Sequence, residues 1–138
     1  MIHDHDLNCN GDRLVKDLLA GRNVLVVDDD DDYAEAIDEV LTLQGCKVTR
    51  ITDPTKAVSR AIGEDFDFLI VDKNMPRLNG LEFAEQVRRQ KPSSKIIMIT
   101  AHPNEDSRKQ SLELGVRYYL SKPFRKNDLL EIASFILL

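Results

Sequence analysis

From residue 23 onward, short aliphatic runs alternate with amphipathic segments, and this alternation constrains the fold more than any other feature of the sequence. The runs "VLVV", "FLIV" and "IIMI" are continuously apolar, as in strands that are covered on both faces of a parallel sheet. Five repeats of strand and helix predict an α/β fold with right-handed crossovers. The predicted strands are residues 24–28, 47–51, 66–72, 95–100 and 118–121.

Local capping signals mark the predicted helices. Asp31 or Asp32 is expected to cap the first helix, Tyr33 lies in its apolar stripe, and Gly45 is expected to end it. The segment 104–114 is nearly all polar, so its helix is expected to be exposed and weakly anchored. The other helices are predicted to start near Asp53-Pro54, Asn79 and Lys126.

Length and charge exclude several classes of protein. A chain of 138 residues is long enough for one domain with its own core. The net charge of -5 argues against general nucleic-acid binding by phosphate neutralisation. No apolar run approaches the ~18 residues of a membrane span, and the polar start is unlike a signal peptide. With only Cys9 and Cys46, far apart, the expected setting is the reduced cytoplasm.

The first 22 residues lie outside the repeating pattern and are interpreted as an N-terminal appendage to a domain at 23–138. Residues 12–20 predict a short helix with apolar residues on one side, which Gly21 would end. The apolar side, from Leu14 to Leu19, would either pack against the domain or bind a partner or second copy. The sequence leaves both alternatives open.

Polar residues stand at the carboxyl ends of four predicted strands. In an open parallel sheet these ends meet at one edge, where ligands bind at a topological switch point. Each residue alone also has an ordinary structural explanation, such as a helix cap, a turn or a solvated side chain. Together they predict a polar site formed by Asp28, Asp29, Asp72, Thr100 and Lys122.

The chemistry of this set favours phosphoryl transfer. Three carboxylates repel one another but suit Mg²⁺, which takes oxygen ligands. Once a metal offsets the charge, Asp72 can act as a nucleophile toward phosphorus. Phosphoryl transfer then needs neutralisation of the phosphoryl oxygens, which Lys122 and the Thr100 hydroxyl can supply. Asp30 to Asp32 are expected at the start of the first helix, where the helix dipole favours negative charge.

Four segments carry a resemblance to a known family. "VLVVDDDDD", "FLIVDKNMPRLNG", "IIMITAH" and "YYLSKPF" occur in this order, each at a predicted strand end. Residues 23–138 therefore resemble the response regulator receiver domain of two-component signalling, a chemotaxis-regulator-like module. The resemblance implies a single doubly wound, flavodoxin-like (βα)5 domain with a five-stranded parallel sheet in the order 2-1-3-4-5.

The resemblance also implies a role for each site residue. Asp72 would accept a phosphoryl group from a sensor histidine kinase or a phosphotransfer protein, with Thr100 and Lys122 assisting. Tyr119 would be the switch aromatic that turns inward with Thr100. The Lys122–Pro123 bond would be cis. The Mg²⁺ ligands would be Asp28, Asp29, Asp72 and the backbone carbonyl of Asn74.

The implied output is a change of surface. Phosphorylation would remodel the surface of helix 104–114, the fifth strand and the last helix, which would control a partner, an attached output domain or a second copy. Such a domain catalyses only its own phosphorylation and dephosphorylation and is not otherwise an enzyme. The alternative is a receiver-like scaffold that binds partners without phosphorylation, although such scaffolds usually lose one of the five site residues. An unrelated α/β enzyme is disfavoured because no P-loop or G-x-G-x-x-G is present.

Overall fold

The computed structural model describes residues 13–138, and the first described residues, 13–19, are helical and are called α1. The part of the predicted appendage at 1–12 lies outside the described residues. Five strands follow along the chain, namely β1 Asn23–Val27, β2 Lys47–Ile51, β3 Phe68–Asp72, β4 Ile96–Thr100 and β5 Tyr118–Ser121. The helices between and after them are α2 Asp31–Leu43, α3 Pro54–Gly63, α4 Gly80–Gln90, α5 Glu105–Glu113 and α6 Lys126–Leu137. No helix within 13–138 is long and apolar enough to cross a membrane.

The strands form one parallel sheet in the order β2-β1-β3-β4-β5, which confirms the predicted fold class and strand order. In the register, Val27 pairs with both Ile51 and Val71, and Thr100 pairs with Ser121. The carboxyl ends of the strands therefore lie along one edge of the sheet. After β1 the chain places β2 on one side of it and β3 to β5 on the other, so the topological switch point lies between β1 and β3.

The continuous apolar runs are explained by a core on each face of the sheet. On one face Val24, Val26 and Ile70 pack under α2 and α6, and on the other Leu25 and Val71 pack under α3 and α4. Successive strand residues point to opposite faces, so a strand that is covered on both sides needs apolar residues at every position. All five residues of β3 and all five of β4 are buried.

Helix α1 packs against the domain, which was one of the two alternatives that the sequence left open. Leu19 is fully buried in the core beside α2 and α6, whereas Leu14 is 58% exposed. Gly21 has φ +76° and donates its N–H to the carbonyl of Gly45 at 2.9 Å. The Cys46 thiol donates to the carbonyl of Leu19 at 3.3 Å.

The start of α2 differs from the prediction. The cap is Asp30, not Asp31 or Asp32, because Asp30 lies in extended backbone and its Oδ1 accepts the N–H groups of Asp32 at 3.0 Å and Tyr33 at 3.2 Å. Asp31 and Asp32 occupy the first turn, where negative charge is favourable. Gly45, with φ +93°, follows the last turn of α2 as predicted.

Helix α5 is exposed, as its polar sequence predicted, and serines form its buried side. Ser107 and Ser111 are buried, while Leu112 is 53% exposed. The Ser111 hydroxyl donates to the carbonyl of Ser107 at 2.9 Å, so the buried hydroxyl is satisfied within the helix. Small polar side chains provide little apolar area, so α5 is held to the sheet less strongly than a helix with an aliphatic stripe.

Candidate functional site

Three carboxylates converge at the carboxyl edge of β1 and β3. Asp28 follows β1 and is fully buried, Asp72 ends β3 with 6% exposure, and Asp29 is exposed. Each offers an oxygen atom, and these three oxygens lie within 4.8 Å of one another. An all-oxygen set of three carboxylates is the donor chemistry that Mg²⁺ prefers, so the residues fit the ion that the sequence predicted.

The strand-to-helix connection after β1 orients the acidic run. The N–H of Asp28 donates to the Ile51 carbonyl at 3.3 Å, which continues the ladder with β2 for one residue. Its Oδ1 then accepts the N–H of Asp30 at 3.0 Å, and Asp30 in turn caps α2. The five adjacent aspartates therefore have two roles. Asp28 and Asp29 contribute to the carboxylate cluster with Asp72, and the following three aspartates form the start of α2.

Lys122 inserts an ammonium group between two of the carboxylates. Its Nζ lies 2.9 Å from Asp28 Oδ2 and 3.4 Å from Asp72 Oδ2, and the side chain is only 12% exposed. The backbone N–H of Lys122 donates to the Thr100 carbonyl at 2.7 Å, which ties the residue to β4. The peptide bond between Lys122 and Pro123 is cis.

Burial and charge shift the pKa of two groups at the site. Burial raises the pKa of the Asp28 carboxyl from 3.8 to about 6, although the hydrogen bond from Lys122 opposes this rise. Burial alone would lower the pKa of the Lys122 ammonium, but the hydrogen bond and charge of Asp28, with the charge of Asp72, outweigh it and raise that pKa. The lysine is therefore a permanent cation at neutral pH.

Thr100 is buried at the end of β4 and is held by two donors. Its Oγ1 accepts the side-chain amide of Asn74 at 3.2 Å and the backbone N–H of His102 at 3.0 Å. Because both contacts use its lone pairs, its own O–H remains able to donate. The backbone N–H of Asn74 also donates to Asp72 Oδ1 at 3.2 Å, so Asn74 links Asp72 with Thr100.

Tyr119 lies on β5 with its hydroxyl buried. Among the described residues this hydroxyl makes no hydrogen bond. Burial raises the pKa of the phenol, and the neighbouring Thr100 and Ser107 hydroxyls offset the rise only in part. Tyr119 pairs with Met98 in the register of β4 and β5, and its side chain packs against the core on the face of the sheet under α3 and α4. The predicted switch residues Thr100 and Tyr119 are thus close together beneath α5.

Two contacts near the site were not predicted from the sequence. Tyr33, assigned from the sequence to the apolar stripe of α2, lies with its ring centroid 4.1 Å from Lys122 Nζ. Lys73, next to Asp72, is only 9% exposed, and its ammonium donates to the Ser107 hydroxyl of α5. No periodicity or motif signals either contact, because each joins segments that are distant in the sequence.

The sequence of residues 24–134 matches the response regulator receiver domain family. The alkaline phosphatase synthesis transcriptional regulatory protein PhoP of Bacillus subtilis is 33% identical over 107 residues, which are 78% of this chain and 45% of that protein. Response regulator SaeR of Staphylococcus aureus is 32% identical over 107 residues, which are 78% of this chain and 46% of that protein. The chain thus spans less than half the length of these curated relatives.

Solved structures of receiver domains and of a chemotaxis protein also resemble this chain. Chemotaxis protein CheY4 of Vibrio cholerae has a TM-score of 0.80 at 29% identity, over 85% of this chain and 99% of that one. The receiver domain of sensor histidine kinase PA1611 of Pseudomonas aeruginosa, solved with a magnesium ion coordinated in its active-site cleft, has a TM-score of 0.78 at 29% identity. That match covers 86% of this chain and 98% of the other. The chain therefore belongs to the response regulator receiver domain family.

Proposed function

We propose that this chain is a phosphorylation-controlled receiver in which Asp72 accepts a phosphoryl group from a histidine kinase or phosphotransfer protein. The observation that supports this most strongly is the surroundings of the Asp72 carboxylate. It ends a buried strand, lies within reach of two further carboxylates, and receives the Lys122 ammonium at 3.4 Å. If Asp72 served only as a turn residue, it would not need the Lys122 ammonium and the carboxylates of Asp28 and Asp29 beside it.

Asp28, Asp29, Asp72 and the backbone carbonyl of Asn74 would hold Mg²⁺. When bound, the ion supplies positive charge that offsets the carboxylates and the phosphoryl oxygens. The buried Asp28 carboxylate would benefit from the positive charge of the ion, because burial raises its pKa to about 6. Asp29 is exposed at the rim and is the ligand most accessible to an ion from solvent.

The proposed transfer uses the residues around Asp72 for positioning and charge. An Asp72 carboxylate oxygen forms a bond to phosphorus as the phosphorus–nitrogen bond of the donor phosphohistidine breaks, and the imidazole leaves. Lys122 neutralises one phosphoryl oxygen, and the free O–H of Thr100 donates to another. Hydrolysis of the acyl phosphate returns Asp72 to its carboxylate form. The chain turns over no independent substrate.

The proposed output is a change in the surface formed by α5, β5 and α6. Donation by Thr100 to a phosphoryl group would change its contacts with Asn74 and His102, and the Tyr119 ring beneath it would respond. Helix α5 is suited to move because serines, not aliphatic residues, form its buried side. The remodelled surface would control a downstream protein, a second copy or an attached output domain.

Membership of the family supports a proposal for the wider setting. The partner in phosphorylation would be a sensor histidine kinase or a phosphotransfer protein in the cytoplasm. The domain itself would contact neither nucleic acid nor membrane. PhoP is a transcriptional regulatory protein, but only 45% of its length is matched, so any output of that kind would belong to segments beyond the matched part.

The test is intact-protein mass after incubation with acetyl phosphate, with Mg²⁺ or with a chelator. Wild type should gain one phosphoryl group only in the presence of Mg²⁺, and Asp72→Asn should gain none. Asp65→Asn is a matched control, because Asp65 is exposed and pairs with Lys91 at 3.3 Å, and it should behave as wild type. Labelling of Asp72→Asn would refute the acceptor assignment. No labelling of wild type, with either acetyl phosphate or phosphoramidate, would favour the phosphorylation-independent scaffold.

A further inference from the structure

The Tyr33 ring lies between two residues of the loop that follows β5. Lys122 Nζ is 4.1 Å from the ring centroid, and the Phe124 ring centroid is 5.5 Å away at an interplanar angle of 58°. Lys122 and Phe124 are separated by one residue, so a short loop contacts the same aromatic ring twice. The ring thereby joins the start of α2 to the segment that carries the lysine of the site.

Tyr33 is itself held in place. Its backbone N–H donates to Asp30 Oδ1 at 3.2 Å, in the capped first turn of α2. The next residue, Ala34, is fully buried, and Ile37 one turn later is 2% exposed. A ring on the first turn of a capped and anchored helix has little freedom to move away from the ammonium group.

We propose that Tyr33 is a positioning residue that holds the Lys122 ammonium beside Asp72 for phosphoryl transfer. This inference rests on the proposed function, because it assigns Tyr33 a part in the same reaction.

The physical basis is the contact between a cation and the face of an aromatic ring. An ammonium group has three donors, and Asp28 and Asp72 accept from it at 2.9 and 3.4 Å. The ring covers a further side of the group, which is 12% exposed, and attracts it through the negative face of the π system. Unlike a third carboxylate, the ring brings no localised charge to draw the lysine away from an arriving phosphoryl group.

The test compares three variants with wild type. Tyr33→Phe keeps the ring face, and Tyr33→Leu replaces it by an aliphatic side chain of similar bulk. Tyr118→Leu is a matched control, because it makes the same change at a half-buried β5 position that packs in the core. Phosphoryl uptake from acetyl phosphate at saturating Mg²⁺ should slow about fivefold in Tyr33→Leu and stay within about twofold of wild type in Tyr33→Phe.

A second readout reports the contact itself. The ring should shift the Lys122 Cε proton resonances upfield in wild type and Tyr33→Phe, and this shift should be lost in Tyr33→Leu while it persists in Tyr118→Leu. The measurement needs no phosphodonor, so it tests the contact between Tyr33 and Lys122 separately from phosphoryl uptake by Asp72. If wild type shows the shift but takes up no phosphoryl group, the proposed function fails and the positioning role fails with it.

Two results would overturn the positioning role alone. One is a folded Tyr33→Leu that takes up phosphoryl as fast as wild type. The other is a Tyr33→Phe that is as slow as Tyr33→Leu, which would show that the ring face is not what matters. The tyrosine hydroxyl would then carry the effect.

Discussion

Asp28→Asn should stabilise the metal-free protein at neutral pH while weakening its binding of Mg²⁺. The side chain of Asp28 is fully buried, and burial raises its pKa from 3.8 to about 6. Asparagine resembles the protonated, uncharged form of this carboxyl group. The substitution therefore removes the cost of keeping a buried carboxylate ionised, which costs more than its contact with Lys122 returns.

The magnitude follows from the difference in pKa between the folded and unfolded chains. A rise from 3.8 to about 6 corresponds to about 3 kcal/mol at any pH above both values. The folded state holds the proton on Asp28 more tightly, so the contribution of this group to the free energy of unfolding should fall as the pH rises from about 4 to 6. Below the lower value the carboxyl group is protonated in both states, and the difference between wild type and variant should vanish.

Urea denaturation of wild type and Asp28→Asn in a chelating buffer, at intervals from pH 4 to pH 8, measures this directly. At pH 8 the free energy of unfolding of the variant should exceed that of wild type by about 1–3 kcal/mol, because the amide keeps part of the polar contact with Lys122. At pH 4 the two should differ little. Asp65→Asn, at an exposed surface pair, should change stability by less than about 1 kcal/mol. A lower stability of Asp28→Asn at pH 8, or a difference that does not depend on pH, would refute the reasoning.

Two further substitutions, each with a matched control, probe the packing behind Asp72 and the packing of α1. Gly80→Ala should cost about 1–3 kcal/mol, because a Cβ there would lie 2.6 Å from the carbonyl oxygen of Asp72 and 2.7 Å from Lys73 Cα. Gly63→Ala, where a Cβ meets nothing within 4 Å, should change stability by about 0.5–1 kcal/mol in the favourable direction in the same denaturant titration. Leu19→Ala should cost about 2–5 kcal/mol because Leu19 is fully buried, whereas exposed Leu14→Ala should stay within about 0.5 kcal/mol; equal costs would show that α1 does not belong to the core.

The order of strands and helices and the polar edge could be predicted because both depend on short-range patterns. A strand that is covered on both faces needs an unbroken apolar run, and β1, β3 and β4 have one. In a parallel sheet all carboxyl ends share an edge, so residues such as Asp72 and Thr100 must lie on the same side. Proline and aspartate at the start of α3, and Asn79 before α4, signalled their helix starts for equally local reasons.

Other features depend on contacts between distant segments. Five adjacent aspartates look alike in the sequence, and only the backbone conformation at Asp30 decides that it, and not Asp31 or Asp32, caps α2. Ser107 and Ser111 are buried because α5 turns the face that carries them toward the sheet, and the polar sequence does not indicate which face that is.

The sequence by itself determined the sheet, its polar edge and the residue types at that edge, because periodicity and strand order act along the chain. The tertiary structure decided which groups touch there. It placed the Tyr33 ring against Lys122, the Lys73 ammonium against Ser107, and Leu19 inside the core. Each of these contacts joins segments that meet only after the helices have packed on the sheet. Such contacts depend on packing geometry, and local sequence patterns do not predict them.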